Sequence, residues 1–218
     1  LNIAESRMGK CNELAMMMGA YASLFFATCF FKISFFFHKQ VLAMRKELND
    51  EWGLAQSFQF MGYCYEWMAD YKKSIEYFER SKEKFQSMGD IRELGMVIQG
   101  LIFDYFYTGE YKRALDYASQ YLEIGEKTKD VYAISDSWTQ LSRTYIQTGE
   151  LEKAEESAKK GIRIAEEGKV WFIVCYGYIH LGHLYIEKKN YDEAIKYLEK
   201  AKKVDKENNF LRNYVAFL

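Results

Sequence analysis

From Tyr71 onward, apolar side chains recur at i, i+3 or i+4, and i+7, as in Tyr71, Ile75 and Phe78. That spacing predicts amphipathic helices rather than strands. The pattern also repeats as a block: written in rows of 40 residues, the chain aligns without gaps. Tyr71, Tyr111, Leu151 and Tyr191 each open a second half-row, and each follows a turn-like pair, "AD", "GE", "GE" or "KN". An aromatic recurs in the first half-rows at Phe25, Tyr65, Tyr105, Tyr145 and Tyr185, and a small residue in the second at Ser34, Ser74, Ala114, Ala154 and Ala194. A helix of this length cannot bury its apolar face alone, so helical hairpins must stack on one another. Small residues let the axes approach and the aromatics fill the space between pairs.

One stretch departs from this rhythm. Leu14 to Phe31 runs 18 residues without a charge, and Lys32 is the only charge before Phe37. That is the length at which a membrane span must be considered. Yet the stretch keeps the register of the repeat: Tyr21 stands in a Leu column, Phe25 in the Tyr column and Ser34 in the Ala column. A spanning helix has no reason to keep those columns. We therefore expect a hairpin that breaks near Cys29 and Phe30, and no membrane segment. Phe30 replaces the acids of later rows (Asp70, Glu110, Glu150), and Phe36 replaces Glu76 and Asp116. Such a surface is expected to be covered by a preceding domain, by a partner, or by a second copy in a homo-oligomer.

Composition narrows the class. The chain has 218 residues and no proline, so nothing interrupts the helical hydrogen-bond ladder. Thirty basic against 31 acidic residues give a net charge of −1, which offers no electrostatic reason for a nucleic-acid partner. Cys11, Cys29, Cys64 and Cys175 are widely spaced and read as reduced thiols of a cytoplasmic protein, without disulfide or zinc spacing. No signal-peptide pattern opens the chain, which we expect to start inside a longer polypeptide.

The segment "YIHLGHLYIEKKNYDEAIKYLEKAKKV" closely resembles the tetratricopeptide repeat, with Tyr178, Leu181, Gly182, Tyr185, Ala194, Leu198 and Ala201 in its signature places. Trp138, Leu141, Tyr145, Ala154 and Ala158 carry the same resemblance in the preceding row, and Gly62, Tyr65 and Phe78 in an earlier one. The usual closing proline is missing, and the 40-residue spacing is similar to the longer variant. That variant occurs in kinesin light chains, LGN-type adaptors, peptide-pheromone receptors and the sensor arms of signal-transduction ATPases. The resemblance implies an all-α fold, a right-handed superhelix in a single solenoid domain over residues 1–218. Five complete repeats would span 11–50, 51–90, 91–130, 131–170 and 171–210, with 1–10 the tail of a preceding repeat and 211–218 the start of a further helix.

In this family the first helices line a concave groove. Carried over column by column, the resemblance places Met16, Gly19 and Ser23 there, then Gln56, Gln59, Tyr63 and Glu66, and Gln99, Phe103 and Phe106. Asp136, Thr139, Arg143, Tyr176 and His183 continue the set. Aromatic and amide groups of this kind suit a peptide or protein partner. The Lys and Asn set with which chaperone adaptors clamp a terminal carboxylate is missing from these columns, where Arg143 is the one cation. His180 and His183 share a helical face, but no further ligand completes a metal site. His38 lies in a packing column. No phosphate-cradling loop, nucleophile elbow or zinc-protease motif is present, so neither an enzyme nor a cofactor is expected. The expected roles are an interaction scaffold, the effector-sensing arm of a larger regulator, or a self-association module.

Overall fold

The ends of the helices are written in their caps. Asp50, Asp70 and Asp130 each turn a side-chain oxygen onto a backbone N–H of the following turn, that of Gly53, of Lys73, and of Tyr132 and Ala133 respectively. A carboxylate there satisfies an otherwise unpaired donor and favours the positive end of the helix. At the opposite ends Gly89 and Gly149 adopt left-handed conformations, φ 70° and 78°. Their amides, and those of Asp90 and Glu150 that follow, return to carbonyls of the last turn. Asn49, Ala69, Lys129, Lys169 and Lys189 hold comparable conformations without being glycine.

The computed structural model describes residues 11–27 and 31–208. Ten α-helices and no strand occur among the described residues: α1 Asn12–Ala27, α2 Phe31–Glu47, α3 Glu51–Trp67, α4 Tyr71–Met88, α5 Ile91–Tyr107, α6 Tyr111–Thr128, α7 Val131–Thr148, α8 Leu151–Glu167, α9 Trp171–Glu187 and α10 Tyr191–Asn208. None of these helices is long and apolar enough to cross a membrane. The described residues of the stretch from Leu14 to Phe37 belong to α1 and α2, which pack on each other. The expected break at Cys29 and Phe30 lies outside the described residues, as does the proposed interface residue Phe30 itself.

The chain forms two compact units, the first reaching Asp104 and the second beginning at Tyr105, within α5. In the first unit α1 packs on α2, α2 on α3 and α3 on α4. Phe78 of α4 is fully buried, and a Cβ at Gly62 or Gly100 would stand only 2.7 or 2.6 Å from its ring. These two glycines are therefore the space that the phenyl ring fills. In the second unit α6 packs on α7, α7 on α8, α8 on α9 and α9 on α10. Its core gathers Ala154, Ala158, Ile162, Ala165, Ile173, Val174, Leu181 and Leu184. Here Gly182 accepts Leu198, whose atoms would lie 2.6 Å from an added Cβ.

The recurring columns have visible partners. Tyr65 stacks on Tyr77 at 5.3 Å, Tyr105 on Tyr117 at 5.5 Å and Tyr185 on Tyr197 at 5.4 Å, each pairing a first helix with the second helix of its hairpin. In the Tyr145 row Ser157 takes the second place, and Lys153 lies over the ring of Tyr145, as Lys73 and Arg113 do over Tyr65 and Tyr105. In the small-residue column, Ser34 and Ser74 donate to the carbonyls of Ala22 and Gly62, tying each second helix to its first.

Candidate functional site

The groove columns fall on both units, and each unit has its own chemistry. In the first, Tyr63 is half-buried: its ring meets Phe78 edge-on at 5.0 Å and its hydroxyl donates to the Met96 carbonyl at 3.2 Å. Gln99 and Phe103 on α5 are also half-buried. Gln59 is buried beside Glu93, a carboxyl that burial pushes upward. Glu66, expected from its column to face a groove, lies near Asp104, and no sequence column had singled out Asp104. Asp104 is completely buried, with neither oxygen in hydrogen-bond geometry with a partner. Burial raises its pKa to about 7, opposed by the nearby Ser74 hydroxyl. Burial, and then the Asp104 charge, push Glu66 up to about 8. Two carboxyls so placed hold protons near neutrality, because burial disfavours the ionised form of each and the Asp104 charge adds to that at Glu66.

In the second unit the charge balance is different. The Arg143 guanidinium lies 3.9 Å from the Phe106 ring centroid and 5.7 Å from that of Tyr107, a cation–π stack. Burial lowers its pKa, while Tyr107, Asp136 and Tyr176 work in the opposite direction. Asp136 is buried and accepts from the Thr139 hydroxyl and from Gln140 Nε2 at 3.0 Å. Thr139 is buried as well; Tyr176 and His183 are exposed. His180, behind them, is pushed down to about 3 by burial, then by Arg143 and His183. It is a neutral imidazole whose Nδ1 has no hydrogen-bond partner.

Of the residues named from the repeat pattern, Tyr63, Glu66, Gln99, Phe103, Phe106, Arg143, Tyr176 and His183 present at least part of a side chain to the surface. Gln59, Asp136 and Thr139 are buried among the helices and contribute to packing there. Phe36 is 54% exposed, together with Met16, Met17, Tyr21, Leu24 and Ile33 of the same hairpin. Sequence reasoning passed over Asp104 and the buried Arg45, and weighed His180 only as a metal ligand beside His183. In a 40-residue column Asp104 shares its place with Cys64, Thr144 and Leu184, and that mismatch was the available signal.

Among the described residues, no group of three or more His, Cys, Asp or Glu side chains is placed to hold a metal ion. Cys64 and Cys175 are buried free thiols, and burial raises both pKa values, that of Cys64 to about 11.

The tetratricopeptide repeat model matches residues 55–83, 135–167 and 176–208. No curated protein sequence matches the chain. Among solved structures, the apo form of RapI superposes with a TM-score of 0.80 at 19% identity, covering 93% of this chain and 74% of that one. A Rap protein complexed with Competence and Sporulation Factor gives 0.80 at 17% identity, over 99% of this chain and 61% of that one. A signal transduction ATPase with numerous domains and a tetratricopeptide repeat sensor, from Pyrococcus horikoshii, gives 0.75 at 20% identity over 92% of this chain, but only 30% of that much longer one. The chain thus carries tetratricopeptide repeats at the matched residues, and the all-α repeat fold of such proteins extends along nearly its whole length.

Proposed function

We propose that the chain is a non-catalytic scaffold that binds a peptide or protein partner along the first helices of its hairpins. The observation that carries this reading is the partial exposure of Tyr63, Glu66, Gln99 and Phe103 in one unit and of Arg143, Tyr176 and His183 in the other. All of them stand at the columns where tetratricopeptide repeats meet their ligands. Aromatic and amide groups supply burial and backbone hydrogen bonds, and the few charges select. The likeness in fold to a Rap protein solved with Competence and Sporulation Factor supports a binding role.

The test is a peptide-display selection against the chain, followed by the Tyr63→Ala, Phe103→Ala double variant. Capture of the selected peptides should fall at least tenfold while the helical circular dichroism is kept. Unchanged capture would refute binding at these columns.

A narrower reading makes the chain the effector-sensing arm of a larger regulator. The likeness to the tetratricopeptide sensor of the Pyrococcus horikoshii ATPase favours it. The gene around this segment decides it, through an ATPase module or a DNA-binding helix pair encoded in the same frame. Self-association is favoured by the exposed Phe36, Ile33, Leu24 and Tyr21. Light scattering at high concentration tests it, and a strict monomer would end it.

A further inference from the structure

Beneath the first hairpin the structure holds a cavity of about 500 Å³. It is lined by Met16, Gly19 and Ser23 of α1, His38 and Arg45 of α2, and Phe60 of α3, among others. The size suits a small ligand or the end of a peptide. Two of its walls are polar side chains almost removed from water: His38 is 1% exposed and Arg45 is 5% exposed.

Arg45 is not fully matched. Nη1 donates to the Gly53 carbonyl at 2.6 Å and to Ser57 Oγ at 3.1 Å, and Nη2 donates to Gln56 Oε1 at 3.0 Å. All three acceptors are neutral. A guanidinium has five N–H donors, so Nε–H and the second Nη2–H remain. Nε has no hydrogen-bond partner. The nearest carboxylate, Asp50, stands 3.9 Å from Nε, and its other oxygen accepts from the Gly53 amide at 2.9 Å in capping α3. With Gln56 taking the Nη2–H on the Nη1 side, Nε–H and the other Nη2–H share the edge that binds a carboxylate through two parallel hydrogen bonds. Gly19 leaves that region open: the sole neighbour an added Cβ would meet is Arg45 Nη2, at 4.0 Å. His38 is stacked on Phe60 at 4.7 Å, and its Nε2 is buried without a partner. Burial, and then the Arg45 charge, hold it neutral, with a pKa of about 4. In the tautomer protonated on Nε2 it offers a further donor.

We infer that this cavity is a carboxylate-binding site, in which Arg45 grips the anion through Nε and Nη2 and His38 Nε2 supplies an additional hydrogen bond. Asp50, which also lines the cavity, pairs with Arg45 only at 3.9 Å and without a hydrogen bond to Nε, and a carboxylate at that edge completes the pairing of the buried cation. The inference rests on the binding role proposed above and gives the partner its chemistry: a peptide that carries a carboxylate, either its C-terminus or an acidic side chain. These residues are not a lysine–asparagine clamp on the first helices, because the charge comes from a second helix, α2.

The experiment follows the Arg45 Nε–H resonance of the whole chain by NMR. Sodium acetate should shift it saturably, and sodium chloride at equal ionic strength should not. Acetyl-trialanine with a free C-terminus, its C-terminal amide, and acetyl-Ala-Glu-Ala-amide then separate the two sources. A shift with the free acid alone assigns the terminus, and a shift with the glutamate peptide assigns the side chain. Gly19→Leu fills the cavity beside Arg45 Nη2 and should abolish the acetate response at unchanged helicity. His38→Phe keeps the stack on Phe60 and should weaken acetate about threefold to tenfold, the worth of one hydrogen bond. No saturable acetate response in the wild-type chain overturns the inference, as does a response that survives Gly19→Leu. If acetate saturates Arg45 while the Tyr63 and Phe103 substitutions leave peptide capture unchanged, the groove reading falls and the anion site stands.

Discussion

The two units bury charge on their first helices in opposite ways. In the first, Asp104 is an enclosed carboxyl whose near neighbour, Glu66, is another acid. In the second, the desolvated cation Arg143 has Asp136 near it and an aromatic face beneath it. Yet the scaffold positions are the same. Cys64, Thr144 and Leu184 occupy the column of Asp104, and all three are buried. Phe106, Ile146 and Ile186 occupy the column of Glu66. The 40-residue period thus fixes where a side chain stands, and the exceptions to it set the chemistry that each unit offers a partner.

Packing gives the sharpest way to probe that difference. Phe78 fills the space that Gly62 and Gly100 leave, with no exposure, whereas Leu198 covers Gly182 while 37% exposed. Phe78→Ala should cost about 3–5 kcal/mol in urea unfolding, and Leu198→Ala roughly half as much. Equal losses would mean that the two glycine pockets are equivalent after all.

The acid pair comes next in size. Asp104 ionises near 4 in the unfolded chain and at about 7 in the folded one. The folded state therefore binds the proton more tightly, so its contribution to stability is complete below about pH 4 and declines as the pH rises through 7. Glu66, raised to about 8, has the same sign and extends the decline. Asp104→Thr follows the example of Thr144, whose hydroxyl donates to the Gln140 carbonyl one turn back at 2.8 Å. It should stabilise the first unit on the order of 2 kcal/mol at pH 8 and change little at pH 4. A gain that is the same at both pH values would remove the buried acid from the account. The second unit should slope the other way below about pH 6.5, because His180, held to about 3 when folded, binds a proton more readily in the unfolded chain.

The smallest effects lie in the turns. Lys129→Gly and Ala69→Gly each relieve a left-handed non-glycine residue and should add about 0.5–1 kcal/mol, while Gly149→Ala should lose a similar amount. Thermal unfolding of the single variants reads these signs directly.

The helices were legible because their apolar period and their breaks recur. The tyrosine column was legible too, but its partner was not: the pairing of Tyr105 with Tyr117 needs both helices of a hairpin folded together. The exposure of the expected binding columns was only partly legible. A 3.6-residue period tells one face of a helix from the other, yet it does not separate the open floor of that face from its packed margins. Gln59, Asp136 and Thr139 accordingly share columns with exposed residues but are themselves buried. Arg45 escaped notice for a different reason. On α2 it reads as a basic residue in the last turn of a helix, and only the fold turns it inward against Gly53, Gln56 and Ser57.

The central claim is that partners bind along the first helices, and amide chemical-shift mapping of a display-selected peptide tests it most directly. The account predicts that perturbations cluster on the faces of Tyr63, Glu66, Gln99 and Phe103, and of Arg143, Tyr176 and His183. Perturbations confined to the charged faces of α4, α6, α8 and α10 would contradict it.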